Sequence, residues 1–192
     1  SWASAVSNSI GGNLVSLNFS NATTHLYLKN ITTLGNNENG PFNCLTGSIS
    51  GCSFDGNFTL RGDSSQTFVF NNSSFLGADN LFQAGSLDFQ NNLFGQKGNG
   101  TTILRAAHNL GAGVYMRDGN NKFLGDAQFE TYAAFPGGLT IQQTYYGQDT
   151  CLGNLSFILK GNAALLTNGS GNSFVAGNVI VDGQGADKWV QF

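Results

Sequence analysis

The chain has 192 residues, of which 10% are charged, and its net charge is -3 at pH 7. Its 16 Phe, 5 Tyr and 2 Trp supply apolar surface for a core, which excludes an intrinsically disordered chain. The acidic balance excludes the basic surface that nucleic acid requires, and no apolar run approaches the roughly 18 to 20 residues that span a membrane.

Glycine and asparagine are unusually frequent, with 27 Gly and 24 Asn in the sequence. Both residue types tolerate left-handed backbone conformations, and Gly destabilises helices. The composition therefore predicts an all-β chain of many short strands joined by frequent turns. In chain order, apolar or alternating runs predict strands at 14–19, 26–28, 58–60, 68–70, 87–89, 102–104, 114–116, 139–141, 155–159 and 179–181.

Phenylalanine recurs in a repeated context, in which Asn or Ser lies one or two residues before it and Gly follows within three residues. The repeated residues are Phe54, Phe75, Phe94, Phe123 and Phe174, separated by 21, 19, 29 and 51 residues, and the last gap has room for two units. Such a period favours a solenoid, because equivalent residues of neighbouring coils stack about 4.8 Å apart. The alternative fold is an antiparallel β-sandwich, which gives no reason for this repeat.

We therefore predict one β-solenoid over residues 1–192, with eight or nine short coils and a length of about 40 Å. A loop is expected to protrude from it over residues 36–53. The N-terminal residues lack the basic and apolar regions of a signal peptide, which predicts a mature chain or a fragment of a longer rod.

Some motifs resemble those of bacterial autotransporter passenger regions, which are secreted adhesins and toxins. Residues 71–75 (Asn-Asn-Ser-Ser-Phe) resemble repeats of Helicobacter autotransporters related to the vacuolating toxin. Residues 54–57 (Phe-Asp-Gly-Asn) and 11–14 (Gly-Gly-Asn-Leu) resemble repeats of chlamydial polymorphic membrane proteins. The resemblance spans about residues 50–180 and implies a right-handed parallel β-helix at the outer membrane or secreted from it, with adhesion as its function.

Two of the three cysteines lie close together in the sequence. Cys44 and Cys52 flank seven residues and predict a local disulfide in an oxidising compartment, whereas Cys151 has no sequence neighbour. The alternative is three unrelated thiols. No zinc-ligand spacing is present, and we expect no metal and no cofactor.

Two short motifs suggest ligands. Arg61-Gly62-Asp63 is the tripeptide that many integrins recognise, but a solvated turn is the favoured interpretation. Asp182 and Asp187 bound a single Gly-x-Gly-x-Asp element of the kind found in calcium-binding β-rolls. Because such calcium sites need tandem copies, a glycine turn is the favoured interpretation of this element.

Acidic residues are scarce, and they do not predict an active site. The densest group contains Asp118, Asp126 and Glu130 with Arg105 and Arg117. A polysaccharide-cleaving β-helix needs two or three such groups on one face of consecutive coils. Solvated surface charge is the simpler interpretation, and no catalytic residue is predicted.

N-glycosylation sequons are more frequent than the composition requires. Nine Asn-x-Ser/Thr sequences begin at Asn18, Asn21, Asn30, Asn57, Asn71, Asn72, Asn99, Asn154 and Asn168. They fit either a glycosylated surface protein or turns of Asn that lead into strands rich in Ser and Thr.

The leading hypothesis is a non-catalytic, secreted or cell-surface solenoid that presents an adhesive surface to a host-cell or surface receptor, either protein or glycan. The first alternative is a self-associating subunit of an extracellular filament, sheath or layer. The others are a glycosylated viral or surface receptor-binding domain and a polysaccharide-cleaving enzyme. No nucleic-acid partner is expected.

Overall fold

The structure is a computed structural model, which describes residues 8–10, 25–29, 31–33, 35, 37–39, 46–62, 65–96, 98–107, 113–116, 119–133, 142–145, 149–161, 163–166, 173–184 and 189–191. These residues form short strands and turns, with no helix in the described ranges. The strands are β1 (Asn8–Ile10), β2 (His25–Lys29), β3 (Ile31–Thr33), β4 (Asn37–Asn39), β5 (Thr46–Ser50), β6 (Ser53–Phe54), β7 (Phe58–Arg61), β8 (Thr67–Asn71), β9 (Ser74–Phe75), β10 (Asn80–Ala84), β11 (Ser86–Gln90), β12 (Leu93–Phe94), β13 (Thr101–Ala107), β14 (Gly113–Tyr115), β15 (Lys122–Phe123), β16 (Asp126–Ala133), β17 (Gln142–Tyr145), β18 (Thr150–Cys151), β19 (Leu155–Gly161), β20 (Ala163–Leu166), β21 (Phe174–Val175), β22 (Val179–Gln184) and β23 (Trp189–Gln191).

Every third strand pairs, so the chain winds through three parallel sheets. Sheet I contains β1, β3, β6, β9, β12, β15, β18 and β21. Sheet II contains β4, β7, β10, β13, β16, β19 and β22, and sheet III contains β2, β5, β8, β11, β14, β17, β20 and β23. Each coil therefore runs from sheet I to sheet II, then to sheet III and back to sheet I.

This topology confirms the predicted parallel β-helix and excludes the antiparallel sandwich. The predicted number of eight or nine coils was too high, because the solenoid has about five turns. Five consecutive turns run from β6 to β20, and further strands on either side of them bring sheets I and III to eight strands each.

An aromatic stack fills the interior behind sheet I, as the repeat predicted. Phe54, Phe75, Phe94 and Phe123 are fully buried and lie one above another. Successive ring centroids are 5.2, 5.5 and 4.7 Å apart, and the ring planes differ by 9 to 11°. Each ring buries apolar surface against the next coil, which is the interaction that stabilises a solenoid.

The prediction that Phe174 continues this stack was wrong. The inward position after Phe123 belongs to Cys151 and then to Val175. Phe174 instead lies one residue earlier and is 57% exposed. Because the side-chain period of a strand is two, an alignment shifted by one residue places the side chain on the opposite face.

Most predicted strands are present where the structure describes the chain, whereas 14–19 and 139–141 lie outside the described residues. The alternation of buried and half-exposed residues in β8 and β11 shows why these runs form strands with one face inward. The predicted loop over 36–53 contains β4 and β5, and the interval between them, 40–45, is not described. A protruding loop stays a prediction for that interval. A search of the described residues found no helix with the length and hydropathy to cross a bilayer.

Candidate functional site

Buried polar side chains line the corner where each coil passes from sheet III to sheet I. We call the five residues at this corner the buried ladder: Cys52, Ser73, Asn92, Asn121 and Asp149. All are at most 2% exposed. The backbone N–H of each of the first four residues donates to the side chain of the next ladder residue, in the following coil. The bonds satisfy buried backbone groups that no strand partner reaches.

Asparagine serves the buried ladder in two ways. The Oδ1 atom of Asn92 accepts from Ser73 N at 3.0 Å, and its Nδ2 donates to Phe70 O at 2.8 Å. Asn91 and Asn120, the residues before Asn92 and Asn121, have φ angles of 53° and 61°. The first Asn of each pair therefore makes the left-handed turn, and the second bonds the next coil.

A second series of polar residues lies at the corner between sheets I and II. We call it the outer ladder: Asn57, Asp79, Thr101, Asp126, Asn154 and Asn178. Here the backbone N–H donates to the preceding coil, as in Asp79 N to Asn57 Oδ1 at 3.1 Å and Asn178 N to Asn154 Oδ1 at 3.0 Å. These residues are half-buried or exposed.

Glycines allow the coils to approach closely at this outer corner. A Cβ on Gly125 would lie 2.7 Å from Asn99 O, and one on Gly177 would lie 2.6 Å from Gly153 O. A Cβ on Gly77 would collide with the backbone of Asn57. Three glycines of the repeat, Gly77, Gly125 and Gly177, are thus a packing requirement at the outer corner, whereas Gly95 has a φ of 76° and no close contact.

The outward face of sheet II carries a polar network of three side chains around Arg105. Its Nε and Nη2 atoms donate to the two carboxylate oxygens of Glu130 at 2.8 and 3.1 Å. Its Nη1 donates to Gln83 Oε1 at 3.2 Å, and Gln128 Nε2 donates to Glu130 Oε1 at 2.6 Å. Gln83, Arg105 and Glu130 are register neighbours in β10, β13 and β16.

This network brings together Arg105 and Glu130 of the predicted acidic group but leaves Asp126 apart. Asp126 and Glu130 are four residues apart on β16, about 13 Å at about 3.3 Å per residue. That separation exceeds the roughly 5 to 9.5 Å between the two carboxyl groups of glycosidases. The Asp126 carboxylate accepts a hydrogen bond from Asn154 N at 2.7 Å, so it is part of the outer ladder. Asp118 and Arg117 lie outside the described residues.

The Arg61-Gly62-Asp63 motif begins at the end of β7, beside this network. Arg61 is exposed, and Gly62 is buried, with its N–H donating to Gln83 O at 2.6 Å. Asp63 is outside the described residues. The glycine of the motif therefore lies against the next coil, and an integrin-binding role stays a prediction.

The predicted disulfide is also untested, because Cys44 is outside the described residues. The Cys52 Sγ lies 3.4 Å from Ser50 O. Cys151 is fully buried, with its Sγ 3.5 to 3.7 Å from the carbonyl oxygens of Asn154, Gly153 and Gly125. Burial raises the pKa of the Cys151 thiol.

The calcium candidate of the sequence, Asp182 with Asp187, gains no ligand set from the described part of the chain. Asp182 is exposed on β22 and accepts a bond from Gln184 Nε2 at 2.6 Å, and Asp187 is not described. Within the described ranges, no cluster of three or more His, Cys, Asp or Glu side chains is placed to bind a metal ion.

The structure separates the nine sequons into classes. Asn57 and Asn154 accept ladder hydrogen bonds, and Asn71 is half-buried in β8. Asn72 and Asn99 are exposed. The other four, Asn18, Asn21, Asn30 and Asn168, lie outside the described residues. Glycosylation stays a prediction, for which Asn72 and Asn99 offer the most accessible side chains among those described.

Apolar side chains are exposed on β21 and β22, which are terminal strands of sheets I and II. Phe174, Val179, Ile180 and Val181 are 57, 48, 52 and 36% exposed. Val179 and Val181 pair with Leu155 and Phe157, both buried, and therefore occupy inward positions. These two inward-facing side chains are therefore exposed in the structure.

Sequence reasoning missed the ladders and two members of the sheet II network, Gln83 and Gln128. A signal for the buried ladder was present, since its residues precede Phe54, Phe75, Phe94, Phe123 and Cys151 by two positions. Gln83 and Gln128 have no such signal, because their role depends on the register between coils. No family model, curated protein or solved structure matches this chain.

Proposed function

We propose that this chain is a non-catalytic β-solenoid whose outward sheet II face binds an anionic ligand, as in an adhesin, outside the cell. The observation that carries the proposal is a pair of hydrogen-bond donors, Arg61 and the Gln83 amide, that find no acceptor among the residues that the structure describes. They lie opposite each other in β7 and β10.

The orientation of the Gln83 amide follows from its partner. The Arg105 guanidinium has only hydrogen-bond donors, so the Gln83 amide must turn its Oε1 acceptor toward Arg105. The 3.2 Å hydrogen bond from Arg105 Nη1 to Gln83 Oε1 has this orientation. The Nε2 donors therefore point away from Arg105, and Arg61 lies on the strand at that side. Among the described residues, no acceptor for the Arg61 guanidinium is present.

Charge and apolar surface suggest the ligand chemistry. Glu130 pairs with Arg105, whereas Arg61 is exposed and has no acidic partner within the described ranges. Leu81 and Ile103 are half-exposed, outward-facing register neighbours beside the donors. A carboxylate with adjacent apolar surface, as in an acidic polysaccharide of a host or surface receptor, complements this face.

A binding experiment with charge-matched variants tests the proposal. We expect the immobilised protein to bind an acidic polysaccharide such as polygalacturonate more tightly than a neutral galactan. Arg61→Ala removes a donor of the proposed site and should weaken binding about tenfold or more, since charged hydrogen bonds contribute about 1.5–3 kcal/mol. Lys122→Ala removes the same charge from the exposed face of sheet I and should not. Equal losses in both variants would reduce the effect to net charge and contradict the proposed site.

Self-association is the second candidate function, because inward-facing apolar positions are exposed on β22. A strand from another molecule could cover Val179 and Val181 and continue the sheets. Light scattering should then show a mass that rises with concentration. Val181→Asp should abolish that rise, whereas Val69→Asp on the outward face of β8 should not. A concentration-independent monomer would end this candidate.

A further inference from the structure

The turn between β12 and β13 is longer than its counterparts. Six residues, 95–100, connect these strands, whereas two to four residues connect the strands at the other described turns of the outer corner. Gly98 and Gly100 both have a φ of 74°, and Gln96 pairs with Asn99 in an antiparallel bridge. Asn99 is exposed at this turn.

We propose that Asn99–Gly100 is a site of spontaneous deamidation. The Gly100 nitrogen loses its proton and attacks Asn99 Cγ, the bond from Cγ to Nδ2 breaks, and ammonia leaves with the proton. Water then opens the resulting succinimide. Attack at Cγ gives aspartate, and attack at the main-chain carbonyl carbon gives isoaspartate. The reaction needs water and no redox partner.

Local geometry favours this peptide bond. Gly100 has no Cβ to hinder the approach of its nitrogen. The Asn99 side chain and the Gly100 N–H make no hydrogen bond to any described residue. At the other exposed sequon, the Ser73 N–H that would attack Asn72 donates to Asn92 Oδ1 at 3.0 Å, and Ser73 is buried.

The products should loosen the outer corner. Gly100 O accepts from Asp126 N at 3.2 Å, and Thr101 N donates to Asp79 Oδ1 at 3.1 Å. Gly100 also lies close to the Ala78 backbone. Isoaspartate adds a methylene to the main chain at this contact, and aspartate adds a negative charge to a corner that already holds Asp79 and Asp126.

Incubation of the purified, unglycosylated protein at mildly alkaline pH, followed by peptide mapping, tests the site. We expect aspartate and isoaspartate to accumulate at Asn99 while Asn72 stays intact. The Asn39–Gly40 and Asn168–Gly169 sequences are read on separate peptides. Asn99→Gln should remove the modified peptide without altering those readings. An unmodified Asn99 after prolonged incubation, or modification of Asn72 at the same rate, would overturn the proposal.

The consequence is measured separately from the chemistry. Enzymatic methylation of isoaspartate should label the aged protein but not aged Asn99→Gln. Thermal unfolding should show a Tm lowered by about 2–4 °C in the aged protein, as expected for a modest loss in a chain of this size. Equal Tm values for aged and fresh protein, with Asn99 modified, would overturn the predicted loosening of the corner.

Discussion

The buried and outer ladders satisfy backbone groups with similar side chains, yet they differ in burial and direction. In the buried ladder, Ser73, Asn92 and Asn121 donate their N–H groups to the following coil. In the outer ladder, Asp79 and Asn178 donate to the preceding coil. Each coil is thus bonded to both neighbours at different corners.

The difference in burial decides what each bond contributes. A buried donor that loses its acceptor has no water to replace it, whereas an exposed donor does. The same Asn-to-backbone bond should therefore contribute much more to stability at the buried corner. Packing differs in another way. At the outer corner, Gly77, Gly125 and Gly177 approach the backbone of the preceding coil so closely that a Cβ would not fit.

The largest effect is expected for Asn92→Ala in the buried ladder. The substitution removes the acceptor of Ser73 N and one donor to Phe70 O, which leaves a buried backbone N–H without its acceptor. We expect the free energy of unfolding in urea to fall by about 2–4 kcal/mol. Asn92→Ser is the matched control, because Ser73 shows that a hydroxyl can accept at this corner, and it should lose less. Equal losses would contradict this assignment.

A somewhat smaller loss is expected for Gly77→Ala at the outer corner. The added Cβ would overlap the backbone of Asn57, so the two coils must separate. Overpacking of this kind costs about 1–3 kcal/mol, measurable as a lower urea midpoint. Ser74→Ala, on the outward face of β9, is the control and should change the midpoint little. An unchanged midpoint for Gly77→Ala would show that the coils are not tightly packed here.

The direct test of the comparison is Asn154→Ala in the outer ladder. It removes the acceptor of Asn178 N and the donor to Asp126. Because both neighbours reach solvent, we expect a loss of only about 0.5–1 kcal/mol in urea unfolding. A loss as large as that of Asn92→Ala would show that burial does not separate the two ladders.

Features within one repeat were enough to predict the coil from the sequence. The prediction was wrong where contacts between repeats decide which side chains point inward. Phe54, Phe75, Phe94 and Phe123 stack as expected because spacing alone places them inward. Phe174 resembles them locally, but the register between β18 and β21 places Val175 inward, with Gly177 packed on Gly153. The proposed sheet II site was beyond prediction, since it depends on which residues of β7, β10 and β13 lie side by side.

The smallest expected effect on stability concerns Cys151. Its thiol lies in the buried interior, next to carbonyl oxygens of the outer corner. Burial raises its pKa, so the neutral thiol is favoured in the folded state. The neutral Cys151 thiol contributes its full share of stability below the pKa of an unfolded cysteine, about 8.5. That share is lost as the pH rises through the pKa of the thiol in the folded protein.

Urea unfolding between about pH 7 and pH 10 should therefore show an alkaline loss of stability that is smaller in Cys151→Val. Valine is the matched replacement, because Val175 fills the equivalent inward position of the next coil. An identical alkaline slope in both proteins would show that the buried thiol is not the group that titrates. A smaller slope in Cys151→Val would show that the Cys151 thiol resists ionisation in the folded protein, because the packed interior around it excludes water.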